Sequence, residues 1–190
     1  MPRQHHLFDR LAAAKVNIKA PNLVALAEDD TLSVETLHDI CYDRKHGTIA
    51  FRAAWVLEYI ATYHPKRFMP VLDTFMSRLP EQQNHSCQRH FTKIVMHITH
   101  PNAPTLYQEA RSTINGERLV ETAFGWLIDP RTPVAVQVNC MDILFNMRNE
   151  FEWIADELVQ QTTFLMKDGS AAIQSRGKKI LATLRRPSKF

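Results

Sequence analysis

Four stretches of the chain superimpose in one register, and that repetition constrains the fold more than any composition figure. With Ile49–Ile60 as template, the copies begin at Ile49, Cys87, Val136 and Ile173, separated by 38, 49 and 37 residues. The first column is Ile49, Cys87, Val136, Ile173, and four residues on it is Ala53, Phe91, Cys140, Gly177. Next come Val56, Ile94, Ile143, Ile180, beside Leu57, Val95, Leu144, Leu181, and finally Ile60, Ile98, Met147, Leu184. Offsets of 0, 4, 7, 8 and 11 trace one face of an α-helix. Every member is apolar except the small Gly177, which permits close backbone approach. A generic amphipathic bundle would show the periodicity without the fixed spacing. Periods of 20–50 residues indicate solenoids or arrays, in which each helix pair buries its apolar face only by stacking on a neighbour.

The punctuation between copies is helical. The 5 glycines among 190 residues are too few for sandwiches, barrels or phosphate-binding α/β folds, whose turns depend on them. The 10 prolines suit helices that stop and restart. The pattern predicts a short helix over 5–15 and a second opening at Pro21. Ser33 would cap a helix to about Arg44, with Gly47 as stop signal. Helices are expected over 48–63 and 66–79, and from an Asn84 cap to about Thr99. A Thr105/Gln108 capping box would start a short inserted helix. Further helices should run from Gly116 to Asp129-Pro130 and from a Thr132 cap with Pro133 in first position to Arg148. The last two are expected over 150–166, with Glu150, Glu152, Asp156 and Glu157 near its positive end, and over 170–185.

His46-Gly47-Thr48-Ile49-Ala50-Phe51-Arg52-Ala53-Ala54-Trp55-Val56-Leu57-Glu58-Tyr59-Ile60 resembles the HEAT-repeat helix, usually V-R-x-x-A-A-x-A-L-G-x-I. Phe68-Met69-Pro70-Val71-Leu72 resembles its L-P-x-L partner helix. The resemblance implies an all-α fold, a right-handed α-α superhelix of stacked HEAT-like helical hairpins. The chain would be a single α-solenoid domain over 1–190, with capping helices in 1–32, repeats in 33–186 and a tail in 187–190. One departure matters: Ala50, Gln88, Gln137 and Gln174 stand where the family carries arginine. A glutamine ladder between neighbouring repeats would replace the usual Asp–Arg ladder.

The opposite face also reads in columns: Arg52, His90, Asn139, Arg176; Trp55, Lys93, Asp142, Lys179; Tyr59, His97, Asn146, Thr183; and Thr62, His100, Asn149, Arg186. The resemblance implies that this helix lines the concave surface. Arg, Trp and Tyr are the residue types most enriched at binding hot spots. Arg52, Trp55 and Tyr59 are therefore the expected anchors for a protein or peptide, with His90, Lys93, His97, Asn139, Asp142, Asn146, Arg176 and Lys179 around them. An alternative has Trp55 tucked under the N-terminal helices with Arg52 stacked on it.

Other chemistry is weakly represented. His97 and His100 have ligand spacing, but His90 is two turns away and no carboxylate of that helix joins them, so no metal is expected. Cys41, Cys87 and Cys140 lack CxxC spacing, which argues against zinc and a disulfide framework; Cys87 and Cys140 fall in core columns. G-x-S-x-G, P-loop, G-x-G-x-x-G and H-E-x-x-H are absent, so neither catalysis nor a cofactor is expected. Lys+Arg 23 against Asp+Glu 20 is too small an excess to demand nucleic acid. The basic C-terminus (Arg176, Lys178, Lys179, Arg185, Arg186, Lys189) could meet phosphates or simply complement the last helix dipole. HEAT-like alkylpurine DNA glycosylases are the enzymatic alternative. They need an acid and aromatics together, whereas Asp142 and Trp55 stand two rungs apart, roughly 16–20 Å. A subunit stacking end to end is the third reading. The lack of an apolar leader or a ~20-residue apolar run leads us to expect a cytoplasmic protein away from membranes.

Overall fold

The structure, a computed structural model, describes residues 2–13 and 20–184. The expected end of the first helix at 15, the 187–190 tail, and Arg185, Arg186 and Lys189 lie outside the described residues. The elements are α1 (Pro2–Ala13), α2 (Ala20–Ala27), α3 (Val34–Ile40), α4 (Gly47–Tyr63), α5 (Pro65–Phe68), α6 (Leu72–Arg78), α7 (His85–Thr99), α8 (Thr105–Ala110), α9 (Gly116–Ile128), α10 (Val134–Met147), α11 (Trp153–Leu165) and α12 (Ala171–Leu184). Short 3₁₀ turns cover Met69–Val71, Leu79–Glu81 and Arg111–Thr113, and no strand occurs among the described residues.

The helices form two layers. In one layer, named the inner layer from the orientation the resemblance implies, α4 packs on α7, α7 on α10 and α10 on α12. The outer layer is α3, α5–α6, α9 and α11: α3 and α5 lie on α4, α9 on α10, and α11 on α10 and α12. Phe75 of α6 meets Phe91 of α7 with ring centroids 4.8 Å apart. The four pairs α3/α4, α5–α6/α7, α9/α10 and α11/α12 are thus stacked hairpins, with α1 and α2 against α4 and α8 inserted beside α7. The chain is an all-α, solenoid-like repeat.

The repeating columns are the core. All their members are buried except Ile49 and Leu184 at the two ends of the register, which are half-buried. Burying one such large aliphatic side chain contributes about 1.5–3 kcal/mol. Cys41, Cys87 and Cys140 are free thiols inside this core. At Gly177 a Cβ would overlap Met166 Sδ and come within 3.0 Å of Thr162 Cγ2, so glycine lets α12 close on α11.

Caps set most boundaries. Ser33 Oγ accepts from Thr36 N at 3.1 Å, Asn84 Oδ1 from Ser86 N at 2.9 Å, and Asn115 Oδ1 from Arg118 N at 3.0 Å. Elsewhere local geometry corrects the sequence expectation. Helix α3 stops at Ile40, because Asp43 Oδ1 accepts from Lys45 N and His46 N and folds a turn; Gly47 then opens α4 rather than closing α3. The helix expected over 66–79 is broken at Pro70, which cannot donate to the helical ladder. Pro133, extended at ψ 143, is the cap of α10 instead of its first residue. Gln108 Nε2 donates to Ala103 O at 2.7 Å, so no capping box with Thr105 forms. Helix α11 begins at Trp153, and Glu150 outside it pairs with Arg111 of the insertion.

The glutamines do not form a ladder between repeats. Gln88 Nε2 donates to Gln82 O at 2.8 Å, Gln137 Nε2 to Leu127 O at 3.1 Å, and Gln174 Nε2 to Met166 O. Each satisfies a carbonyl within its own hairpin, where the preceding segment leaves one unpaired.

Candidate functional site

The inner-layer helices present the polar columns. Arg52, His90, Asn139 and Arg176 behave alike in all four copies, because each reaches back to an earlier helix, α1 for Arg52 and the previous inner-layer helix for the other three. Arg52, 6% exposed, donates through Nη1 to Leu11 O at 2.7 Å and Ala12 O at 3.2 Å. It therefore satisfies orphan carbonyls near the C-terminus of α1, which the helix dipole makes negative. His90 Nδ1 lies 2.5 Å from Glu58 Oε2 of α4. Asn139 Nδ2 donates to Thr92 Oγ1 of α7 at 2.9 Å, and Arg176 meets Asp142 of α10 at 3.3 Å. It is Arg52 that α1 covers, while Trp55 is half-buried and stacks on Tyr59.

Three residues absent from the aligned polar columns complete these rungs. Glu58 is the only carboxylate of α4, and it also receives Lys93 Nζ at 3.0 Å. Burial raises the Glu58 carboxyl, but the bonds and charges of His90 and Lys93 outweigh it and hold the group below its ordinary value. Glu58 shares its register with Met96, Phe145 and Ala182, which hides it from a column of polar residues. Thr92 and Thr99 are the other omission. Asn146 Nδ2 donates to Thr99 Oγ1 at 3.2 Å, so two Asn–Thr rungs link α7 to α10. The matched seven-residue spacings, 92 to 99 and 139 to 146, were the available signal.

The remaining expected residues divide by position. Asp142 is pushed up by burial, against which Arg176 and Lys179 act; its Oδ2 is buried without a hydrogen-bond partner. His97 is half-buried, edge-on to Tyr107 at 5.8 Å, and lowered by burial and by His100. Lys179 is exposed. Trp55 on α4 and Asp142 on α10 have α7 between them, so the structure does not bring that acid and aromatic together. Among the described residues no three His, Cys, Asp or Glu side chains converge to hold a metal.

The aromatic end of the face is ordered. Trp55 stacks on Tyr59 with centroids 6.0 Å apart and an interplanar angle of 19°, and Tyr59 contacts Tyr63 at 4.5 Å. Tyr63, one turn beyond the expected anchors, is 65% exposed. The Tyr59 hydroxyl donates to Glu28 Oε1 at 3.1 Å, and burial together with Glu28 raises its pKa. The rings at positions 55, 59 and 63 lie on one helical stripe, as four-residue spacing requires.

Stacked helical hairpins with a repeated buried register and side-chain rungs between copies define an α-solenoid repeat protein. A family model described as a HEAT repeat domain matches residues 7–184, and the chain belongs to that family. No curated protein and no solved structure matches it. HEAT repeats form helical scaffolds that commonly mediate protein interactions. No helix among the described residues is long and apolar enough to cross a membrane.

Proposed function

We propose that this protein is a non-catalytic scaffold, one domain in the cytoplasm, whose inner-layer face binds another protein or a peptide. The row Trp55–Tyr59–Tyr63 carries the reading. Three rings in a row, each in contact with the next and the last 65% exposed, offer large amphipathic area at low entropic cost. The rungs around them support it, because a surface whose polar side chains are already bonded loses little freedom on binding. Arg52, His90, Asn139, Asn146 and Arg176 act by holding that surface; Trp55, Tyr59, His97, Lys93, Asp142 and Lys179 border it.

The pairing of both inner-layer carboxylates supports a non-catalytic role. Glu58 is held by His90 and Lys93, and Asp142 by Arg176. All three thiols are buried, and burial pushes Cys87 up to about 12, far from a thiolate nucleophile. Three free cysteines also suit a reducing compartment.

Affinity capture with the wild type and with a Trp55→Ala/Tyr59→Ala/Tyr63→Ala variant of matched thermal stability tests the proposal. Partners retained by the wild type should be lost from the variant. Equal recovery by both proteins would remove the aromatic row as the binding element.

A further inference from the structure

The two layers differ in charge as well as in composition. Helices α4, α7, α10 and α12 carry six Lys and Arg against two carboxylates, +4, whereas α3, α5, α6, α9 and α11 carry four against seven, −3. Pairing sharpens the contrast. Both inner-layer carboxylates, Glu58 and Asp142, are in ion pairs, and neither is exposed. Arg89, Lys178 and Lys179 are exposed and make no ion pair among the described residues. The free cations lie on α7 and mainly on α12, and the aromatic row lies on α4, at the opposite end of the layer.

Resting on the protein-binding reading above, we infer that the partner is an extended acidic segment, seated with an aromatic or aliphatic side chain on Trp55–Tyr59–Tyr63 and its carboxylates against Lys178, Lys179 and Arg89. Three helix-to-helix steps at about 10 Å separate α4 from α12, about 30 Å in all. An extended chain rising about 3.3 Å per residue spans that in nine or ten residues. Charge complementarity of this kind selects the partner and speeds encounter. A nucleic acid fits less well. It needs cations along its whole length, whereas beside the aromatic row Arg52 is covered by α1, Lys93 is taken by Glu58, and the exposed Glu28 sits beside Tyr59.

The probe is a displayed library of random dodecapeptides, selected on the full chain. Selected peptides should carry an Asp/Glu cluster about eight to ten residues from an aromatic or aliphatic anchor, in one chain direction. Measured by fluorescence anisotropy, a selected peptide should lose at least about tenfold in affinity on Lys178→Glu/Lys179→Glu and again on Trp55→Ala. Its affinity should also fall in about 0.5 M NaCl. No selection of acidic sequences, or affinity indifferent to the charge reversal, overturns the inference. Peptides that depend on Trp55 but not on Lys178 and Lys179 would overturn it while leaving the protein-binding reading intact. A twelve-nucleotide single strand that binds more tightly than any selected peptide, and is lost on charge reversal, would overturn it in favour of nucleic acid.

Discussion

Asn146 repeats, two turns further along α10, the bond that Asn139 makes: each amide donates to a threonine hydroxyl of α7, at 3.2 and 2.9 Å. The acceptors, Thr99 and Thr92, spend their own protons on the carbonyls four residues back, Val95 and Gln88, at 2.8 Å each. The hydroxyls are thereby oriented as acceptors, and each rung is satisfied on both sides. Removing one amide should cost about 1 kcal/mol. The two rungs lie about 10 Å apart along the helix, so Asn139→Ala and Asn146→Ala should be close to additive, about 2 kcal/mol for the pair. Urea unfolding of the two single variants and the double variant checks this.

Arg52 holds α1 by its carbonyls, and a stack of nearest-neighbour units confines such a loss to its own end. Arg52→Ala should weaken the α1 attachment by roughly 2 kcal/mol. Amide exchange in α1 should quicken by about thirtyfold, with α10, α11 and α12 unchanged. Uniformly faster exchange would show that α1 is not a separable unit.

His38 is 1% exposed among Tyr42, Phe75 and Phe91, and burial lowers its pKa to about 4. An unfolded histidine titrates near 6.5. Between these values the unfolded chain binds the extra proton, so stability is full above about pH 6.5 and falls as the pH drops towards 4. The loss attributable to this residue is on the order of 3 kcal/mol. Chemical denaturation from pH 7 to 4 should show that slope, and His38→Phe should flatten it.

Two glycines should respond in opposite directions. At Gly125, on α9, a Cβ meets nothing within 4 Å, so Gly125→Ala should stabilise by about 0.5–1 kcal/mol through backbone entropy. At Gly169 a Cβ would overlap the Leu165 carbonyl and approach Ile173 Cγ2 to 2.6 Å. Backbone cannot yield as a side chain can, so Gly169→Ala should destabilise by about 1–3 kcal/mol. Thermal melting of the two variants distinguishes the signs.

The core was legible because its columns depend on one angular period and one spacing, both visible in a linear string. The glutamines were misplaced because their partners depend on loop geometry: Gln137 meets Leu127 O only once α9 has turned into α10. The polar columns were legible as a face but not as a seam. Sequence assigns Asn139 and Arg176 an angle around the helix, and only the packing of neighbours decides whether that angle points to solvent or to the next helix. Glu58 was missed for a related reason, because its rung joins different offsets on α4 and α7 and no column contains both ends. Tyr63 was missed because the polar columns stop at Thr62, one residue short of it.

Gln88, Gln137 and Gln174 each close a bond inside a hairpin, whereas the residues at 90, 139 and 176 close one between hairpins. The polar seams are therefore short: a grafted hairpin would bring its own internal staple and, beyond the repeated apolar columns it already shares, need to match its host at only a few polar side chains. Lengthening or shortening the array by whole hairpins should cost little at such joints, which makes array length easier to vary than the chemistry of any one joint.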